Sequence, residues 1–280
     1  MLDGKKIKAL QARTRREIGD KWDPAKLTLP RLPVVFGTVV NKTPFDNKVT
    51  LTSKMTRCDQ PPNILVKPSD GDAAFVTENG LYVENIPIKF PGSEYRIPQI
   101  IWDNFGDLLV QQMALEKDVN PHIEEQYVYL TIQQGMVAPD KTQRPPGIHI
   151  DGFQKATIIP QIAQHQISVT NALPTVFYAA AAGKDTVKLP KNAFFDALAK
   201  DCESAPIYTP PTYALHLLNA FCPHRPVTAD KEQFRTFVRF SISSIPFMNN
   251  YNTRNKLFDY EWTEEKKAAY YRSVTKPELL

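Results

Sequence analysis

Apolar and polar residues alternate with a period of two over much of this chain, and that is the pattern of half-buried strands. The clearest runs are residues 127–137, Tyr-Val-Tyr-Leu-Thr-Ile-Gln-Gln-Gly-Met-Val, and residues 234–242, Phe-Arg-Thr-Phe-Val-Arg-Phe-Ser-Ile. Further strands are expected over 148–154, 157–162, 166–170, 175–179 and 213–222, each bounded by turn residues. Upstream, Val34-Val35-Phe36, Val49-Thr-Leu-Thr, Ile64-Leu-Val and Leu81-Tyr-Val read as shorter strands between Asn, Asp, Gly and Pro clusters. The period changes to that of a helix over 98–118, where Ile101, Phe105, Leu108, Leu109 and Met113 share one face and Pro98 stands in the first turn. Short helices are expected over 193–200 and from Thr263 to about Val274, with Glu264 and Glu265 in the first turn. An amphipathic surface helix is expected over 5–18, built on Ile7, Leu10 and Ile18. The expected fold class is therefore mainly β with flanking helices, a barrel or sandwich of seven or eight successive strands.

Composition adds bounds to this picture. At 280 residues, one domain is the expectation: a core over 127–243, an extension over 1–126 and a tail over 244–280. The hydrophobic fraction of 42% and charged fraction of 23% are those of a soluble globular protein. Twenty-four prolines against 11 glycines agree with many strand boundaries. Charge stands near the start where a secretory signal needs an apolar core, so the cytoplasm is the expected address, and no run of about 18 apolar residues suggests a membrane span. Cys58, Cys202 and Cys222 are odd in number and widely spaced, which suggests neither a disulfide framework nor a cysteine zinc site. Residues 1–60 carry 13 Lys/Arg against 6 Asp/Glu, read as a solvated face and not as a nucleic-acid footprint.

Candidate chemistry begins at Gly147-Ile-His-Ile-Asp-Gly, where His149 and Asp151 stand two residues apart. On a strand such residues point the same way, which brings an imidazole and a carboxylate toward one metal ion. Two histidines and one carboxylate on one face of an octahedron are what a non-haem iron(II) site uses. The second histidine is supplied by the block Tyr213-Ala-Leu-His-Leu-Leu-Asn-Ala-Phe-Cys-Pro-His-Arg-Pro, read as a strand ending in His224. His216 is the competing choice, facing inward with His224 if both lie on one strand. His165, among glutamines, and His122, after Asn120-Pro121, read as surface or turn residues. Beyond the block, Arg235, Phe237, Arg239 and Ser241 share a strand face, and two inward guanidinium groups require anionic partners.

In this order of motifs the chain resembles the iron(II)/2-oxoglutarate oxygenase superfamily, whose double-stranded β-helix carries His-x-Asp, a distant His and an Arg on the last core strand. The resemblance covers about residues 127–243, with 75 residues between His149 and His224 and Arg235 following 11 residues later. It implies iron(II) held by His149, Asp151 and His224, with 2-oxoglutarate and O2 as cosubstrates. Arg235 would then bind the distal carboxylate of 2-oxoglutarate with Thr131 and Ser241 beside it, although Arg239 and Ser241 also fit an Arg-x-Ser form of the same subsite. Arg239, Gln133 and Tyr129 would face the substrate, expected to be a small molecule carrying a carboxylate. Oxidation of an unactivated C–H follows, hydroxylation first, with desaturation or ring closure as other outcomes of the superfamily. Asp151 argues against halogenation, and the Arg235-x-x-x-Arg239 spacing against nucleobase repair. The rivals are a cupin-like metalloenzyme without 2-oxoglutarate and a non-catalytic β-barrel binding module. Oligomeric state is not readable from the sequence.

Overall fold

The structure is a computed structural model, and it describes residues 34–35, 38–39, 48–50, 76–77, 80–120, 122–151, 153–154, 157–158, 164–180, 189, 191–219, 222–243, 246–249, 251–266 and 268. The expected helix at 5–18, the strand at 64–66, Cys58 and the end of the final helix lie outside these residues. In chain order the strands are β1 (Val34–Val35), β2 (Thr38–Val39), β3 (Lys48–Thr50), β4 (Val76–Thr77) and β5 (Gly80–Lys89). Helix α1 (Gln99–Val119) and a 3-10 turn at Ile123–Glu125 follow, then β6 (Tyr127–Val137), β7 (Phe153–Gln154), β8 (Thr157–Ile158), β9 (Gln164–Thr170) and β10 (Val176–Tyr178). Helix α2 (Lys191–Cys202) precedes β11 (Ile207–Tyr208), β12 (Ala214–Asn219), β13 (His224–Arg225) and β14 (Gln233–Ser243).

The chain alternates between two antiparallel sheets. A seven-stranded major sheet has the order β3-β12-β9-β14-β6-β5-β4, and a minor sheet has the order β11-β10-β13. Next to β13 the minor sheet is extended by an antiparallel bridge between His149 and His224, whose N–H groups each donate to the other's carbonyl at 2.9 Å. Leaving β6, the chain visits the minor sheet at His149, returns at β9, crosses again at β10 and β11, returns at β12, crosses at β13 and closes at β14. This interleaving makes the core a double-stranded β-helix, mainly β with flanking helices.

The period of two divides the major sheet into unlike faces. On its outer face Leu81, Val83, Leu130, Ile132, Ile167, Val169, Leu215, Leu217, Val238 and Phe240 pack with Ile101, Phe105, Leu109 and Met113 of α1 in one apolar cluster. Each such fully buried side chain contributes about 1.5–3 kcal/mol. Helix α1 forms because those apolar positions recur on one face and because Pro98, which needs no N–H partner, precedes the first turn; its carbonyl accepts from Ile101 and Trp102. On the inner face stand Tyr129, Thr131, Gln133, Gln166, Ser168, Thr170, His216, Arg235, Arg239 and Ser241, polar and yet buried. The minor sheet packs its far side on α2 through Ile150, Val176, Tyr178, Phe194 and Leu198. The facing sides of the two sheets meet through Phe177, Leu218 and Cys222.

Two expected strands are interrupted. Residues 148–154 form the single bridge at His149, a bend at Asp151 and the short β7, and residues 213–222 end as a strand at Asn219. His216 and His224 thus lie on different strands in different sheets, β12 of the major sheet and β13 of the minor one. His165 is a correction to the sequence reading. It is buried on the outer face, its Nε2 lies 2.6 Å from the Glu116 carboxylate of α1, and Asn120 bridges that carboxylate to Gln126. Among the described residues no helix is long and apolar enough to cross a membrane.

A glutamate with no exposure on a helix facing an apolar sheet is tolerated only while His165 and Asn120 complete its hydrogen bonds. Glu116→Ala is therefore expected to cost about 3 kcal/mol, read as a lower urea midpoint at unchanged slope. An unchanged midpoint would show that this contact does not help to dock α1.

Candidate metal centre

His149, Asp151 and His224 present their ligand atoms to a common point, all within 4.8 Å of one another. Among the described residues they are the one group of three or more His, Cys, Asp or Glu so arranged. The bridge between the two main chains sets the imidazole rings side by side, 4.3 Å between centroids. Each ring is then oriented by its own Nδ1, which donates to the carbonyl two residues back: Gly147 for His149 at 3.1 Å and Cys222 for His224 at 2.9 Å. A carbonyl only accepts, so each ring carries a proton on Nδ1, which leaves Nε2 as the nitrogen free of a main-chain partner. The Nε2 of His224 stands 3.8 Å from Asp151 Oδ2.

Asp151 is half-buried, and the loss of solvent opposes its ionisation. Arg239 foremost, then the two histidines and the Gln166 amide, outweigh that and hold its carboxyl well below the usual carboxylate range. Arg239 Nη1 donates to Oδ2 at 3.0 Å and Gln166 Nε2 donates to the same oxygen at 2.8 Å. Burial pushes the His224 imidazole down to about 4 against the pull of Asp151. The site thus offers two imidazoles, each with Nδ1 committed to a carbonyl, and one ionised carboxylate, the donor set that suits iron(II) with positions left open. The residues present therefore fit the implied metal.

Arg239 does not wait for an anion. Besides Asp151 it has Asn85 Oδ1 at 3.4 Å and Glu84 Oε1 at 3.8 Å from Nη2. The premise that Arg239 needs a substrate carboxylate is corrected by these partners. Glu84 itself accepts from Gln133 at 2.7 Å and from Arg144 at 2.9 Å. It reaches inward because the β5–β6 ladder shifts register between Val83 and Ile86, where Asn85 takes a left-handed φ of 45°.

Arg235 is placed differently. It is 3% exposed, its Nε donates to the carbonyls of Ala172 and Leu173 at 3.1 and 3.2 Å, and its Nη1 donates to Gln143 Oε1. Among the described residues it has no carboxylate partner. Burial, with Arg144 nearby, lowers its guanidinium to about 9. The Phe237 ring lies between the two arginines, 5.0 Å from the guanidinium carbon of Arg235 and 6.0 Å from that of Arg239.

Of the other expected site residues, Thr131 is engaged by Asn85, whose main-chain N–H donates to its hydroxyl at 3.1 Å, and Tyr129 accepts from the N–H of Phe247 at 2.9 Å. Gln133 Oε1, Arg239 Nε and Ser241 Oγ are buried without a hydrogen-bond partner. Arg144, five residues before His149, lines a cleft of about 640 Å³ with His149, Asp151, Phe195 and Ala199. Glu84, Asn85, Gln143 and Gln166 were not singled out from sequence. Alternation with Ile167 and Val169 was the available signal for Gln166, and the polar pair in an apolar strand was the signal for Glu84 and Asn85.

No protein-family model matches the chain, and no curated protein matches it. Solved structures do resemble it. One is an oxidoreductase of the 2OG-Fe(II) oxygenase family from Burkholderia pseudomallei, 11% identical over 61% of this chain and 72% of that one, with a TM-score of 0.34. Another is SnoN, the non-heme alpha ketoglutarate dependent epimerase from nogalamycin biosynthesis, 12% identical over 85% and 84%, TM-score 0.34. A third is the Kdo hydroxylase KdoO, a non-heme Fe(II) alphaketoglutarate dependent dioxygenase, 10% identical over 63% and 76%, TM-score 0.34. At these values the likeness says nothing about substrate or reaction, which are read from the side chains.

His149→Ala, Asp151→Ala and His224→Ala are each expected to abolish stoichiometric cobalt(II) uptake, followed by visible absorption, in proteins that keep the parent's circular dichroism. Gln166→Leu, which frees the Asp151 carboxylate to rotate, is expected to weaken uptake roughly 10- to 100-fold. Parent-like binding by an alanine variant would remove that residue from the ligand set.

Proposed function

We propose that this protein is an iron(II)- and 2-oxoglutarate-dependent oxygenase acting on a small molecule. The observation that carries this reading is the site itself: two histidines with Nδ1 committed to carbonyls, and a carboxylate kept ionised, with their free ligand atoms turned to one point. His149, Asp151 and His224 would hold the metal, which when bound with cosubstrate supplies O2-dependent oxidation of an unactivated C–H, with succinate and CO2 as coproducts. Arg235 would bind the distal carboxylate of 2-oxoglutarate. Among the described residues this buried cation has no carboxylate partner, and guanidinium binds carboxylate through two parallel hydrogen bonds. Arg239 serves Asp151, holding the carboxylate oxygen that lies 3.8 Å from His224 Nε2.

The unpartnered Gln133 Oε1, Arg239 Nε and Ser241 Oγ supply one acceptor, one donor and one hydroxyl to whatever fills the chamber. Buried polar atoms of this kind cost free energy until a ligand pairs with them, so they favour an occupant with complementary polar groups. The cleft between the segment bearing Arg144 and helix α2 reaches His149 and Asp151. Hydroxylation is the simplest outcome at such a site, and nothing in the side-chain set selects desaturation or ring closure over it.

The test is a titration of 2-oxoglutarate into anaerobic iron(II) protein. A weak visible charge-transfer band is expected, and Arg235→Ala is expected to raise the concentration needed by roughly tenfold or more, the loss of a charge-assisted contact. Admitting O2 with a substrate screen should then yield succinate. Iron uptake without any band would return the site to a metalloenzyme that does not use 2-oxoglutarate.

A further inference from the structure

The segment leading into His149 is fastened to the chamber at neighbouring residues. Asp140 N–H donates to Ala229 O, and Ala229 N–H donates to Lys141 O, both at 2.9 Å, which anchors its start. Gln143 then lies against β14 and β6: its Nε2 donates to the carbonyls of Arg235 and Gln133 at 3.2 and 3.4 Å, and its Oε1 accepts from Arg235 Nη1. The next residue, Arg144, donates to Glu84 across the chamber mouth.

A neutral amide oxygen thus stands where Arg235, which among the described residues has no carboxylate partner, would meet an anion. An amide is a weaker acceptor for guanidinium than a carboxylate is, but it is tethered and always present. We propose that Gln143 sets the affinity of the Arg235 subsite for dicarboxylates: its amide oxygen occupies the guanidinium in the unliganded protein, and the distal carboxylate must displace it. This rests on the reading of Arg235 as the cosubstrate residue. Displacement works against contacts on both sides of Gln143, because its amide nitrogen is held by two carbonyls and Arg144 keeps the segment closed on Glu84. The binding-competent state is therefore a fraction of the whole, and the apparent dissociation constant rises by the inverse of that fraction.

The experiment is calorimetric titration of 2-oxoglutarate into the manganese(II)-loaded protein, with manganese(II) affinity measured separately for every variant. Gln143→Ala is expected to tighten 2-oxoglutarate roughly three- to tenfold. Gln143→Glu, which offers the guanidinium a resident carboxylate, is expected to weaken it by roughly tenfold or more. A monocarboxylate 2-oxo acid, which has no group for Arg235, should bind the parent and Gln143→Ala alike. Weaker or unchanged 2-oxoglutarate binding by Gln143→Ala, with the parent binding normally, overturns the proposal alone, the first result making Gln143 a ligand of the cosubstrate. If parent and variants bind manganese(II) and none binds 2-oxoglutarate, the reading of Arg235 falls and this proposal falls with it.

Discussion

A carboxylate drawn partly out of water needs compensating charge and donors around it, and Asp151 is the group on which the chamber depends. Its Oδ2 is held by Arg239 and Gln166, which stand on adjacent strands of the major sheet, while the histidines approach from the minor sheet. The two sheets are thus joined by electrostatics at the site as well as by the apolar contact of Phe177 with Leu218. Arg239 is itself fixed by Glu84 and Asn85, and these reach it only because β5 bulges at that point. A regular β5 would keep strict alternation and place one of the two neighbours on the outer face.

The polar inner face is stable because nearly every group on it has a partner. Glu84 alone engages Gln133, Arg144, Asn85 and Arg239. A network of this kind is costly when half-made, since each lost partner leaves a buried polar atom behind. The three atoms left unpaired, on Gln133, Arg239 and Ser241, lie on paired strands β6 and β14 and mark where the protein's own hydrogen bonds stop. On the other face of the same strands the hydrophobic effect acts without such demands, and α1 covers it. Division of labour between the faces lets one sheet serve as both core and wall of the candidate metal centre.

Much of this was legible in the sequence because alternation is a local property. Residues 127–137 were read with the bounds they have, 234–242 to within a residue, and Arg235, Phe237, Arg239 and Ser241 do share the inner face. The His-x-Asp pair and His224 come together although neither lies on the strand expected of it: His149 makes an isolated bridge, Asp151 sits at a bend, and His224 opens a new strand after a crossover. Partners were not legible. Alternation assigns a face, but whether Arg239 meets a ligand or Asp151 depends on a residue 88 positions away. His165 failed for the same reason, since its glutamine neighbours suggest solvent while its actual neighbour is Glu116 on a distant helix. Glu84 and Gln143 take their places from a bulge and a loop, which carry no periodicity.

The two arginines show how position along one strand separates two tasks. Arg239 pairs across the ladder with Thr131 on β6 and Ser168 on β9, in the middle of the sheet, where Asp151 descends from the minor sheet. Arg235 lies past the last β9 partner, since that ladder ends at Phe237 and Thr170, and its opposite residue on β6 is Gly135, which brings no side chain. Where β9 turns away, the carbonyls of Ala172 and Leu173 are free to accept, and they hold the Nε of Arg235 in place. Carbonyl oxygens orient a guanidinium without neutralising it. The sheet therefore commits one arginine to its own carboxylate and leaves the other oriented, buried and, among the described residues, without a carboxylate partner, the condition under which an anionic ligand gains most from binding.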